Sequence, residues 1–131
     1  MTDREIETAG ARLCVRDTGD SEVALLFLHY WGGSSATWRL VTDSLDDRLR
    51  CVAIDQRGWG RSIVTDGRYD LSAMADDVEA IVSGLNLSRY VLVGHSMGGK
   101  VAQIVAVRRP NALSGLVLVA PAPPAPSAPA A

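Results

Sequence analysis

From residue 90 the chain reads Tyr90-Val91-Leu92-Val93-Gly94-His95-Ser96-Met97-Gly98-Gly99, and its architecture follows from these ten residues. The first four are typical of a strand that is buried on both faces. A serine between two glycines follows at once, and Val101, Ile104 and Val105 then recur at helical spacing. The pattern predicts a sharp turn from a strand into a helix, with Ser96 at its tip.

Similar apolar runs lie on both sides of this turn along the chain. Residues 23–28, 51–54 and 116–119 predict three further strands, and residues 4–15 predict two short strands joined at Ala9 and Gly10. Helical periodicity is present between these runs. Buried strands that alternate with helices are typical of the α/β class, with a mostly parallel sheet covered by helices on both faces.

The clearest helix is predicted over residues 71–85. Its apolar residues fall on one face, and Asp76, Asp77 and Glu79 are predicted to lie on the opposite, solvent-facing side. A shorter helix is predicted over residues 38–45.

Composition narrows the class of protein. The chain has 131 residues, 47% hydrophobic and 21% charged, and its formal net charge of -2 disfavours nucleic acid or an anionic membrane as a partner. No apolar run approaches the roughly 18 residues that a membrane span needs, and the start of the chain lacks the features of a secretory signal.

Cys14 and Cys51 are predicted to be buried, reduced thiols, which favours a cytoplasmic location. No metal site is predicted.

A strand-to-helix turn of this kind is suited to nucleophilic catalysis. A serine hydroxyl reacts only when it is exposed, oriented and next to a base. The tight turn would expose Ser96, and the flanking glycines remove Cβ atoms that would clash at the bend. The start of the following helix supplies free N–H groups, which would stabilise an anionic tetrahedral intermediate.

Three segments resemble the α/β-hydrolase superfamily, in particular its esterase, lactonase, perhydrolase and C–C hydrolase group. They are residues 28–34, 55–62 and 94–99, in the family's order and at its usual spacing. The resemblance extends over nearly the whole chain up to Ala120. It implies that residues 1–119 are the N-terminal part of an α/β-hydrolase domain.

The resemblance also implies roles for individual residues. Ser96 would be the nucleophile that forms an acyl-enzyme with a small ester, lactone or related acyl substrate. The backbone N–H groups of Trp31 and Met97 would form the oxyanion hole. The family usually has glycine where this chain has Tyr30. No cofactor is implied, and a serine at position 96 disfavours dehalogenase and epoxide hydrolase chemistry, for which the family uses a carboxylate.

Other polar residues near these segments are interpreted as structural. His29 is expected to order the oxyanion loop through hydrogen bonds, and Asp55 is expected to tie its loop to Arg57. His95 adjoins Ser96 but is expected to point elsewhere. The tryptophans could line a pocket or belong to the core.

A phosphate-binding loop is the main alternative for this segment. Residues 94–100 fit the pattern G-x-x-x-x-G-K, but the next position should be Ser or Thr to bind magnesium and is Val101. A phosphate loop also leaves the other two segments unexplained, so a nucleotide-binding function is disfavoured.

The remaining members of a catalytic triad are missing from the chain. In this fold the order is Ser, then Asp or Glu, then His, yet no Asp, Glu or His follows Ser96. We therefore expect a fold truncated after the strand that follows the nucleophile helix, and a chain that is inactive alone. Two alternatives are a half-length product that acts as a binding module, and an enzyme that uses His29 or His95 unconventionally.

The end of the chain has two predicted features. Residues 120–131 contain only Ala, Pro and one Ser and are predicted to form a disordered tail. The strand at residues 116–119 would be an exposed, uncharged edge, which favours self-association.

Overall fold

A computed structural model describes residues 2–19, 21–45 and 48–121. The strands are β1 Thr2–Glu7, β2 Ala11–Asp17, β3 Val23–Leu28, β4 Arg50–Ile54, β5 Ile63–Val64, β6 Arg89–His95 and β7 Leu113–Val119. The helices are a 3-10 helix over Ser35–Trp38, which runs into α1 Arg39–Leu45, then α2 Leu71–Gly84 and α3 Met97–Val107. Each predicted strand and helix is present.

The strands form one sheet in the order β1-β2-β4-β3-β6-β7, with β5 paired to β2. Strands β4, β3, β6 and β7 are parallel, while β2 is antiparallel to both β1 and β4. Leu28 at the end of β3 pairs with Ile54 on one side and Gly94 on the other. The loops that follow β3, β4 and β6 therefore leave the same edge of the sheet together, which brings the three motif segments into one place.

Helices cover the two faces of the sheet. On one face α2 and α3 bury Met74, Val78, Ile81, Val101 and Val105 against the sheet. On the other face Trp38 of the 3-10 helix packs with Phe27, Cys51, Ala53 and Val93. The predicted α/β class, with a mostly parallel sheet between helices, is confirmed. Both cysteines are buried thiols, as predicted.

Strand β7 lies at the end of the described sheet and pairs with β6. Leu116, Val117, Leu118 and Val119 are between 37% and 48% exposed, so both of its faces are open. Within the predicted tail, residues 122–131 lie outside the described residues.

One residue of α2 departs from the prediction. Asp76 and Glu79 lie at the surface, where both bind Arg108, but Asp77 is only 4% exposed. The cause is the loop after β4, which packs over the first turns of α2 and inserts the side chain of Arg57 against Asp77. Helical periodicity describes contacts with the sheet and contains no information on that loop.

Candidate active site

The turn between β6 and α3 holds Ser96 in a strained backbone conformation. Its φ is 54° and its ψ is -110°, outside the regions that non-glycine residues favour. A Cβ on Gly94 would lie 2.5 Å from the carbonyl oxygen of Gly98, and a Cβ on Gly98 would lie 2.2 Å from that of Leu28. Both glycines are therefore required by close backbone approach, in agreement with the sequence analysis.

Hydrogen bonds hold this turn in place. The Ser96 N–H donates to the carbonyl of Val119 at 3.1 Å, and the Gly99 N–H donates to the carbonyl of Ser96 at 2.9 Å. Met97 is the first residue of α3. Its N–H belongs to the first turn, where N–H groups have no acceptor within the helix and the positive end of the helix dipole lies.

His29 connects the loops that follow β3 and β4. Its side chain is fully buried. Nε2 accepts the Gln56 N–H at 3.1 Å, so the proton of the neutral ring lies on Nδ1, which donates to the carbonyl of Tyr30 at 2.8 Å. The Gln56 side chain donates to the His29 carbonyl at 2.9 Å. Burial lowers the pKa of His29, which keeps the ring neutral in this role. These bonds order the loop that carries Trp31, as the sequence analysis expects for His29.

Asp55 and Arg57 have partners other than the expected ones. Asp55 accepts the backbone N–H of Ser35 at 2.7 Å and that of Arg61 at 3.2 Å. It thus joins the 3-10 helix to its own loop. Arg57 instead forms a two-bond ion pair with Asp77, at 2.7 and 2.8 Å, and this hydrogen bonding raises the pKa of Arg57. The expectation that Asp55 ties its loop to Arg57 is wrong, because the guanidinium extends away from the sheet edge toward α2.

Position 30 tolerates tyrosine. Among the described residues, left-handed backbone is found in four non-glycine residues, and Tyr30 is not one of them. Its ring meets the edge of the His95 ring at a centroid distance of 5.5 Å, and the His95 ring also faces Trp38, at 6.4 Å. His95 therefore lies on the side of the sheet that holds the 3-10 helix, away from Ser96.

The tryptophans divide between core and surface. Trp38 is a core residue. Trp31 is 73% exposed and packs edge-on against the partly buried Trp59 at a centroid distance of 5.0 Å.

An open depression brings the predicted site residues together. It has a volume of about 390 Å³. It is lined by Trp31, Tyr69, Asp70, Leu71, Met74, Ser96, Met97 and Lys100. Sequence reasoning placed Trp31, Ser96 and Met97 at the site and missed the other five, which include Tyr69 and Lys100. The position of Lys100, four residues after Ser96 on a predicted helix, was a usable signal, whereas Tyr69 lies in a loop and had none.

Comparison with known proteins identifies the family of the chain. A family described as the alpha/beta hydrolase fold matches residues 23–131. This chain belongs to that family. One relative is RutD of Agrobacterium fabrum, assigned as a carbamate hydrolase, which is 44% identical over 91 residues. That alignment covers 67% of this chain and 34% of RutD.

Solved structures of hydrolases superpose on most of the chain. An esterase from Exiguobacterium antarcticum matches with a TM-score of 0.83 at 26% identity, over 92% of this chain and 46% of the esterase. A protein of Pseudomonas aeruginosa assigned as an epoxide hydrolase matches with a TM-score of 0.82 at 28% identity, over 89% of this chain and 40% of that protein. The chain thus spans about a third of the length of RutD and less than half of these structures. Within the described ranges, no helix is both long and apolar enough to cross a membrane.

Proposed function

We propose that Ser96 is the nucleophile of a serine hydrolase that acts on a small ester or related acyl substrate through an acyl-enzyme. The strained backbone of Ser96, at the start of α3 and within a depression that also includes Trp31 and Met97, is the observation that carries this proposal. Such a turn exposes the hydroxyl and aims the first N–H groups of the helix at the reacting carbonyl.

The reaction has two halves. The Ser96 oxygen attacks the acyl carbon while a base takes its proton, and the N–H groups of Met97 and Trp31 stabilise the oxyanion. The intermediate collapses, the leaving alcohol takes the proton from the base, and an ester to Ser96 remains. Water then attacks that ester with help from the same base, which releases the acid and restores the serine.

The 131 residues alone contain no suitable base, so we propose that they are inactive without a histidine from outside them. Both ring nitrogens of His29 are engaged in hydrogen bonds, and His95 lies across the sheet against Tyr30 and Trp38. The same observation favours a second candidate, a half-length product that binds a partner or ligand without catalysis.

One structural neighbour is assigned as an epoxide hydrolase. The type of nucleophile distinguishes that reaction from acyl transfer. By the family resemblance, that reaction uses a carboxylate where this chain has Ser96. The assignment of RutD as a carbamate hydrolase is compatible with acyl transfer to serine. The proposal includes a cytoplasmic location, which the two buried thiols favour.

Fluorophosphonate labelling tests the nucleophile. A longer relative with the same turn should be labelled at the serine equivalent to Ser96, and a Ser→Ala change there should abolish labelling. Labelling that survives the change would refute the assignment.

The purified 131-residue chain should show no enzyme-like turnover of a p-nitrophenyl ester. Turnover that Ser96→Ala abolishes would show instead that the chain supplies its own base.

A further inference from the structure

The side chain of Lys100 lies where it could contact a ligand bound in the depression beside Ser96. Lys100 lies in the first turn of α3, four residues after Ser96, and its backbone N–H donates to the Ser96 carbonyl at 3.2 Å. Both line the depression described above. Lys100 is also the single lysine of the chain, and the other twelve of its thirteen lysine and arginine residues are arginines.

The charge of Lys100 is not neutralised by its neighbours. Asp70, the acidic residue that also lines the depression, binds Arg68 at 3.0 and 3.2 Å. Its carboxylate also caps α2 by accepting the Ala73 N–H at 3.4 Å. Lys100 forms no ion pair with any residue in the described part of the chain. An unpaired ammonium beside the start of α3 makes this end of the depression electropositive.

The rest of the lining is apolar or aromatic. Leu71 and Met74 of α2 and the rings of Trp31 and Tyr69 form the other walls. Lys100 follows Ser96 by four positions, so the two backbones lie about one helical turn, roughly 5 to 6 Å, apart. A backbone separation of this size is compatible with a short carbon chain between an acyl group at Ser96 and an anion at Lys100.

We propose that Lys100 is a specificity residue that binds a carboxylate on the substrate, so that the preferred substrates are half-esters, or related monoacyl derivatives, of short dicarboxylic acids. The inference rests on the proposed function in one respect, because it takes the depression beside Ser96 as the substrate site.

Binding to the 131-residue chain tests this without any need for turnover. The two probes are benzyl hydrogen succinate and its neutral methyl ester, which differ by one charge, and affinity is measured by ligand-observed NMR at low salt. The wild-type chain should bind the anion about fivefold or more tightly than the neutral diester. Lys100→Met should remove that preference and leave the affinity for the diester within about twofold, whereas Lys100→Arg should retain the preference.

Arg48→Met is the matched control. Arg48 is an exposed arginine whose side chain donates to the Ser44 carbonyl at 3.0 Å. This substitution makes the same change in net charge outside the depression, so the preference for the anion should persist. If Arg48→Met also loses the preference for the anionic probe, that preference depends on the net charge of the chain, and the proposal is overturned.

The single lysine allows an independent measurement. Acylation of Lys100 by an N-hydroxysuccinimide ester can be followed by peptide mass spectrometry, apart from the N-terminal amine. The anionic probe should slow acylation of Lys100, and the neutral diester should not.

The proposal is overturned if neither probe binds, if both bind equally, or if Lys100→Met weakens both to the same extent. Failure of the proposed function has a different signature. In that case the serine equivalent to Ser96 escapes fluorophosphonate labelling in the longer relative, whatever the charge preference at Lys100.

Discussion

Gly98 is the residue on which the geometry of the turn depends most. A Cβ added there would lie 2.2 Å from the carbonyl oxygen of Leu28 and 2.8 Å from that of His29. These contacts are with backbone, which cannot move aside as a side chain could. The close approach lets α3 start directly against the end of β3, where the loop that carries Trp31 begins.

We predict that Gly98→Ala destabilises the chain by about 2 kcal/mol or more, in line with the cost of forcing an extra carbon into a packed site. Urea unfolding followed by tryptophan fluorescence measures the change. Gly115→Ala is the control, because a Cβ there would meet its nearest neighbour, Val91, at an ordinary 3.8 Å. Equal stability of the two variants would contradict the steric explanation.

Helix α2 is attached to the loop after β4 by a buried ion pair. Arg57 and Asp77 are each under 5% exposed. Arg57 also binds Asp66 at 3.1 Å and the Arg68 carbonyl at 2.8 Å. The loop is thereby joined to α2, whose first residues, Leu71 and Met74, line the depression beside Ser96.

We predict that Asp77→Asn destabilises the chain by about 3 kcal/mol or more, or prevents folding, because it removes the buried two-bond partner of Arg57 and leaves only the partly exposed Asp66 as a counter-ion. Asp76→Asn is the control. It removes one partner of Arg108 at the surface, and an exposed pair contributes under about 1 kcal/mol. Thermal melts of both variants by circular dichroism give the comparison, and similar losses in the two would show that burial does not decide the effect.

At one end of the sheet, strand β7 forms an apolar edge. Leu116–Val119 combines exposed apolar faces with an edge that has no partner strand among the described residues. Such an edge is a template for pairing with another chain. A second copy of this chain, which presents the same uncharged edge, is the partner that we expect for the purified protein.

We predict that the purified 131-residue chain forms dimers or larger species, measured by size-exclusion chromatography with light scattering. Val117→Lys should shift the population toward monomer, because a charge on an edge strand opposes pairing. Val107→Lys is the control, since Val107 is 79% exposed but lies at the end of α3. A wild-type monomer with a sharp thermal transition would show that the sheet is self-sufficient and would favour the half-length functional product.

The architecture was readable from the sequence because its signals are local. A buried strand is a short apolar run, a surface helix repeats about every 3.6 residues, and the turn at Ser96 needs glycines within a few positions. The three motif segments, the strands and the α/β class could therefore be predicted without contacts between distant residues.

The tertiary structure alone decided the pairing of Arg57 with Asp77, the separate role of Asp55, and the position of Tyr69 beside Ser96. Each depends on segments that are distant in sequence and adjacent in space: the loop after β4 reaches α2, and the start of α2 reaches the start of α3. Periodicity indicates which side of a helix faces the sheet. It contains no information on which loop covers the other side, because that depends on how the whole chain packs.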